Sequence, residues 1–163
     1  MIRQARPDEV VLLPAIELSA GRVFVEHGFG DEPHAAPAER WAPCLEAGLL
    51  WVVEGPQGAP VAFLAGYIHE DVFFVSELDV AYEHQRRGLG RQLMAVAEQD
   101  ARRRGLHQMA LVTSRTPPWN APFYASLGYA IAEDPPAWLA HILAVEASQG
   151  ADDRCGMLKS LAE

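Results

Sequence analysis

Cysteine, long apolar runs and an excess of positive charge are what this sequence lacks. Its 2 cysteines, Cys44 and Cys155, stand far apart and form neither a CxxC pair nor zinc-ligand spacing. That excludes a disulfide framework and suits two reduced, partly buried thiols in a cytosolic protein. No segment approaches the roughly 20 apolar residues that a bilayer-spanning helix needs. The opening MIRQARPDEVVLL carries no long apolar core or small-residue cleavage site, so a soluble, cytoplasmic protein is expected. Against 22 acidic residues stand 13 lysines and arginines, a net charge of −9. This balance argues against a nucleic-acid partner. The one basic run, Arg102-Arg103-Arg104, closes an expected helix, where positive charge complements the dipole.

Several chemistries are missing too. The 6 histidines form no HExxH or close pair, so no metal site is expected. Neither Ser114 nor Ser126 sits in a GxSxG elbow, which argues against a serine hydrolase. No GK[ST] occurs, which excludes a P-loop.

The chain does hold enough apolar residues, 50% of 163, to bury one core without staples. We read residues 1–163 as a single domain. A short strand (1–6) leads into a helix begun at Pro7-Asp8-Glu9, interrupted at Pro14 and carried on through Ile16, Leu18 and Val23. A loop (28–37) precedes a second helix (38–47), with Trp41 and Leu45 one turn apart. Three strands follow at 49–53, 60–68 and 72–80, separated by the turn Gly55-Pro56-Gln57-Gly58 and the corner Glu70-Asp71, implying an antiparallel meander. The period then changes. Leu89, Leu93, Val96, Ala97 and Ala101 define an amphipathic helix (88–104), which Gly105 ends. Strands at 109–113, 129–131 and 154–161 alternate with helices at 119–127 and 135–147. Strand, helix and strand between 72 and 113 require a parallel pair inside an otherwise antiparallel sheet, so the fold class is mixed α/β, or α+β.

The chemistry concentrates where strand 72–80 turns into helix 88–104, at Gln85-Arg86-Arg87-Gly88-Leu89-Gly90. Glycines let the backbone approach an anion, and the first N–H groups of a helix point outward with favourable positive potential. Arg86, Arg87 and Arg91 add charge. A dinucleotide fingerprint would need a third glycine, but Gly90 is followed by Arg91, Gln92 and Leu93.

Q-x-x-G-x-G after an apolar strand, opening a long helix, resembles the acetyl-CoA pyrophosphate loop of the GNAT superfamily of N-acetyltransferases. A second stretch agrees. Asn120-Ala121-Pro122-Phe123-Tyr124, ending in Gly128-Tyr129, resembles that superfamily's helix-to-strand signature about thirty-five residues further on. The resemblance covers residues 49–132 and is weak over 7–48. The 133–152 insert is not a standard feature of the superfamily. It implies a mostly antiparallel sheet with a splayed parallel pair at its centre, helices on both faces, and acetyl-CoA as cofactor.

The resemblance further implies that pantetheine pairs with backbone groups of Leu78, Asp79 and Val80, while Gln85, Arg86, Arg87, Gly88, Leu89, Gly90 and Arg91 hold the pyrophosphate. Acetyl transfer to a primary amine of a small molecule or peptide, by direct attack in a ternary complex, is the implied activity. The alternative is a catalytically silent acyl-CoA-binding sensor or interaction module. Amide formation needs a neutral amine, and an alkylamine titrates near ~10.4, so a base or a water relay must take its proton. Period 2 puts Glu77 and Asp79 on one face; Glu77 is the first candidate base and Asp79 the second, with Leu78 and Val80 turned to the core. Tyr124 is the candidate general acid for the leaving thiolate, and the Leu78 N–H could meet the oxyanion. Asn120 starts the short helix and could also touch the pantetheine or acetyl end. Trp41 and Trp51 either pack or line an acceptor pocket. Glu26, Asp31, Glu32, Glu39, Glu70, Asp71, Glu77 and Asp79 outnumber Arg22 and Arg40 around the expected mouth, which favours a cationic acceptor. A monomer or homodimer is expected.

Overall fold

The computed structural model describes residues 1–30 and 33–161. Its strands are β1 (Ile2–Gln4), β2 (Leu50–Glu54), β3 (Pro60–His69), β4 (Val72–Val80), β5 (Gln108–Ser114), β6 (Ala130–Ile131) and β7 (Arg154–Ser160). They form a 7-stranded sheet in the order β1-β2-β3-β4-β5-β7-β6. The sheet is mostly antiparallel with one parallel pair, as the strand–helix–strand pattern requires. Helices α1 (Leu13–Ala20), α2 (Arg22–Glu26), α3 (Ala42–Glu46), α4 (Leu89–Arg103), α5 (Ala121–Ser126) and α6 (Ala137–Ser148) flank it. Among the described residues, no helix is long and apolar enough to cross a membrane.

The amphipathic pattern of α4 is realised by Leu93, Met94, Ala97 and Ala101, all fully buried. Gly105, at φ +77°, stops the helix in the left-handed conformation that glycine adopts without strain. The Gly105 and Leu106 amides then donate to the last helical carbonyls, of Arg102 and Ala101.

The chain divides into two compact units. The first comprises Met1–Tyr67 and Val75–Asp100. Its β1 pairs antiparallel with β2, Ile2 opposite Val53, and β2 with β3, Trp51 opposite Leu64. A core of Leu13, Ile16, Trp41, Cys44, Leu50, Val52, Phe63 and Ala65 packs α1 and α3 against these strands. The helix expected to run on from Pro7 is broken into a 3-10 turn (Pro7–Leu12), α1 and α2. The break between α1 and α2 is at Gly21, where a Cβ would come within 2.7 Å of the Pro33 Cβ. Glycine is there for space, and it brings the segment from Pro33 against α1. Glu9 accepts two of the guanidinium hydrogen bonds of Arg3, at 2.8 and 2.7 Å. Those bonds hold its carboxyl down to about 2.

The second unit comprises Ile68–Phe74 and the chain from Ala101 onward. There β7 lies antiparallel between β5 and β6, with Leu111 and Ile131 both opposite Met157. The segment 133–152 builds α6. Its Leu139 is fully buried with Val72, Phe74 and Ala110, and Trp138 and Ile142 pack around them. Gly156 in β7 makes the seat: a Cβ there would meet Leu139 Cδ2 at 2.6 Å and Cγ at 2.9 Å. Overpacking of this kind costs about 1–3 kcal/mol. Gly156→Ala is therefore expected to lower Tm by several degrees, and Leu139→Ala in the same chain should recover part of the loss. A Tm unchanged by Gly156→Ala would remove α6 from the core.

Candidate active site

The end of β4 and the start of α4 carry the candidate residues of the first unit. Strand residues Ser76 to Val80 are each partly exposed. Leu78 and Val80 are therefore not sealed in the core as expected; both faces of this strand end stay half-open. Ala81, just past it, donates its amide to Val61 at 2.9 Å.

Glu77 and Asp79 share a face, and there they meet a third carboxyl that the sequence reading did not single out. One oxygen each of Glu17, Glu77 and Asp79 lies within 4.8 Å of the others. Glu17 comes from α1 and is 8% exposed. Its Oε1 accepts from the Trp41 indole Nε1 and its Oε2 from the Ala36 amide, both at 3.1 Å. Trp41 is thus a core residue tied to the cluster by its nitrogen, and Trp51 is buried as well. The packing alternative holds for both.

Asp79 is the unusual member. Its Oδ2 is buried and finds no hydrogen-bond partner among the described residues. Burial, the adjacent Glu77 carboxylate within proton-sharing distance and the Glu17 charge push the Asp79 carboxyl well above the usual carboxylate range. The pair therefore titrates as a unit that resists carrying two negative charges.

Beyond the strand, the loop is braced from within. The Gln85 side-chain amide donates to Val80 O at 3.0 Å and Ala20 O at 3.3 Å. Its side chain joins the end of β4 to the end of α1. The Tyr82 amide donates to the Ser19 hydroxyl at 2.8 Å, a second tie between the same elements. Arg86 adopts φ +64°, uncommon for a residue with a Cβ, and Gly88 adopts φ +81°. Both conformations turn the chain sharply into α4, whose first N–H groups have no acceptor within the helix. Arg86, Arg87 and Gly88 are exposed, and among the described residues no acid pairs with either arginine. A Cβ on Gly88 would meet only the Gln92 Nε2, at 3.9 Å, and so would stand in the open cradle. Leu89, Gly90 and Arg91 form the first turn of α4. This is a donor set suited to a pyrophosphate.

Asn120 and Tyr124 belong to the second unit. Asn120 precedes α5 and donates from Nδ2 to the Thr113 hydroxyl at 2.8 Å, which fixes its amide on β5. Its Oδ1 is buried with no hydrogen-bond partner among the described residues. It is an acceptor awaiting a donor. Tyr124 is buried, its ring 5.1 Å from Phe123 and 6.1 Å from Tyr129 between centroids. The Tyr129 amide closes the helix exit on the Tyr124 carbonyl at 3.1 Å.

Of the acids expected around the mouth, Glu77 and Asp79 meet Glu17, and others have partners of their own. Glu26 pairs with Arg22 at 3.3 Å and accepts the Tyr82 hydroxyl. Glu70 and Asp71 fall in the second unit, where Asp71 faces His107 at 3.3 Å. Asp31 and Glu32 lie outside the described residues.

Solved structures of known acetyltransferases share this fold. N-acetylglutamate synthase from Neisseria gonorrhoeae, solved with coenzyme A and N-acetyl-glutamate, is 18% identical with a TM-score of 0.73. The match covers 100% of this chain and 35% of that one, so the chain spans about a third of the synthase. The ribosomal-protein-S18-alanine N-acetyltransferase from Escherichia coli is 19% identical, TM-score 0.71, over 100% of this chain and 94% of that one. The PaiA N-acetyltransferase from Thermoplasma acidophilum, in complex with coenzyme A, is 13% identical, TM-score 0.72, over 98% of both. A sequence model described as "Acetyltransferase (GNAT) domain" matches residues 46–131, which is more than half of the chain. The chain therefore belongs to the GNAT family, the acetyl-CoA-dependent N-acetyltransferases.

Proposed function

We propose that residues 1–163 act as one domain that acetylates a primary amine of a small molecule or peptide by direct attack in a ternary complex. The observation that carries this reading is the carboxyl pair Glu77 and Asp79 on the strand that leads into the glycine loop, drawn together with Glu17. Bound acetyl-CoA supplies an activated acetyl thioester, and this chain's residues do the rest. Gly88, Leu89, Gly90 and Arg91 offer backbone N–H groups to the pyrophosphate, Arg86 and Arg87 offer charge, and Gln85 holds the loop's entry. Leu78, Asp79 and Val80 offer backbone groups to the pantetheine arm, and the orphan Asn120 Oδ1 supports a contact to an N–H or O–H of the cofactor.

Glu77 takes a proton from the arriving ammonium, which frees the nitrogen lone pair to form the C–N bond. Charge that builds on the carbonyl oxygen is met by the Leu78 N–H. As the C–S bond breaks, Tyr124 gives the sulfur a proton, and the second proton that the nitrogen sheds on becoming an amide returns to the Tyr124 oxygen. The strongly acidic chain, net charge −9, favours a cationic acceptor.

The test couples calorimetry with acetyl-CoA to a thiol-release assay over cationic, neutral and anionic amines. Release with at least one amine is expected, with cationic amines preferred most at low salt. Tight binding of acetyl-CoA without release on any acceptor would leave only a silent binding module. For the cradle itself, Gly88→Val places a β-branched side chain at φ +81° in the open loop. The acetyl-CoA Kd is expected to rise on the order of tenfold or more, equivalent to ~1.4 kcal/mol. An unchanged Kd would place the pyrophosphate elsewhere.

A further inference from the structure

We propose that Glu17 is a specificity-determining residue of the acceptor site, completing with Glu77 and Asp79 a three-carboxyl pocket that receives the amine as an alkylammonium ion. This rests on the acetyl-transfer reading and adds the acceptor's charge class and the residue that sets it. The spacing is the first support. An ammonium has three N–H donors in tetrahedral array, and charge-assisted N–H···O bonds run to about 2.7–2.9 Å. Three oxygens that all bond one such nitrogen lie no more than about 4.7 Å apart by the same geometry. The Glu17, Glu77 and Asp79 oxygens all lie within 4.8 Å of one another, close enough for one nitrogen to reach all three.

The second support is the buried Asp79 Oδ2, which has no hydrogen-bond partner among the described residues. A buried acceptor in that state calls for a donor. The third is that the pocket is built from behind. The Ala36 amide and the Trp41 indole each use one lone pair of the Glu17 carboxylate. A lone pair on each oxygen remains. The same bonds lock the Pro33–Trp41 segment to α1, so the pocket's third wall is rigid before substrate arrives. When the ammonium enters, one of its protons passes to Glu77, while Glu17 and Asp79 keep their contacts to the nitrogen.

The experiment compares benzylamine, a cation at neutral pH, with aniline, which is neutral, and other amine pairs matched in shape. Wild type and Glu17→Gln are assayed by thiol release, with acetyl-CoA calorimetry and thermal unfolding alongside. Glutamine keeps one of the two hydrogen bonds and removes the charge. The expected result is a KM for alkylamines raised on the order of tenfold or more, the scale of a lost charged hydrogen bond, with kcat changed far less. The KM for arylamines and the acetyl-CoA affinity should not move. Equal changes for both acceptor classes together with a lower Tm would make Glu17 structural support only, and no change for either would also overturn the proposal. If the variant does not fold, wild type alone decides: a lower KM for alkylamines that rises with salt supports the pocket, and equal KM values overturn it. Acetyl-CoA binding without release on any amine would instead fail the acetyl-transfer reading itself.

Discussion

Tyr124→Phe is expected to lower kcat about 10²-fold or more while leaving acetyl-CoA affinity nearly unchanged, the usual scale for loss of a general acid. The substitution removes one oxygen and keeps the ring. The Tyr124 ring stacks edge-on against Phe123 and Tyr129, and its backbone closes α5, so the phenylalanine variant retains the packing that holds the helix exit. A Tm close to wild type with a large fall in kcat is thus the signature of a proton donor. The driving force is modest, since a thiol titrates near ~8.5 and a tyrosine near ~10. For that reason the effect should shrink with acyl donors whose leaving thiolate is a weaker base. Turnover at the wild-type rate would assign Tyr124 to packing alone.

Much of the fold was legible because its signals are local. Strand β4 falls at Val72–Val80 as its β-branched and aromatic run implies, and α4 at Leu89–Arg103 as its period implies. The loop between them could be found by glycine spacing alone, because turning sharply into a helix leaves few residue choices. The 133–152 insert was legible as a helix but not as a core element. Its role depends on Gly156, some seventeen residues beyond Leu139, having no side chain. The missed site residue is more instructive. The buried face of α1 is Leu13, Ile16, Glu17 and Ala20, at steps of three, one and three. An acid on an apolar stripe is a signal. It is masked because Ile16, Leu18 and Val23 also read as an apolar set, and Leu18 is in fact 44% exposed. Nothing local could have supplied the rest. Glu17 meets Ala36, Trp41, Glu77 and Asp79 only after the chain has folded. The acids expected around the mouth carry no such local signal of their contacts: Glu26 and Asp71 face partners of their own.

Glu77→Gln and Asp79→Asn are expected to differ sharply, although the two carboxyls titrate together. If Glu77 is the base, Glu77→Gln should lower kcat/KM by about 10²–10⁴-fold across the pH range, since glutamine accepts no proton at any accessible pH. Asp79→Asn removes no base. It substitutes an amide donor for the carboxyl that lies against Glu77, and it deletes a source of like charge. In wild type the pair titrates as a unit, its second proton leaving only at raised pH because burial and the neighbouring charges disfavour two anions. With asparagine at 79, Glu77 keeps a hydrogen-bond donor and a neutral neighbour. The acid limb of kcat/KM should therefore stay near its wild-type pH, with the plateau within about tenfold of wild type, while any change that follows loss of the pair's second proton should disappear. Glu17 also faces the pair and is left in place, so the limb should not vanish. The two pH profiles, measured on one amine with saturating acetyl-CoA, separate the roles. A collapse of activity in Asp79→Asn with Glu77→Gln nearly unaffected would exchange the assignments, and a small effect in both would leave proton removal to a water relay.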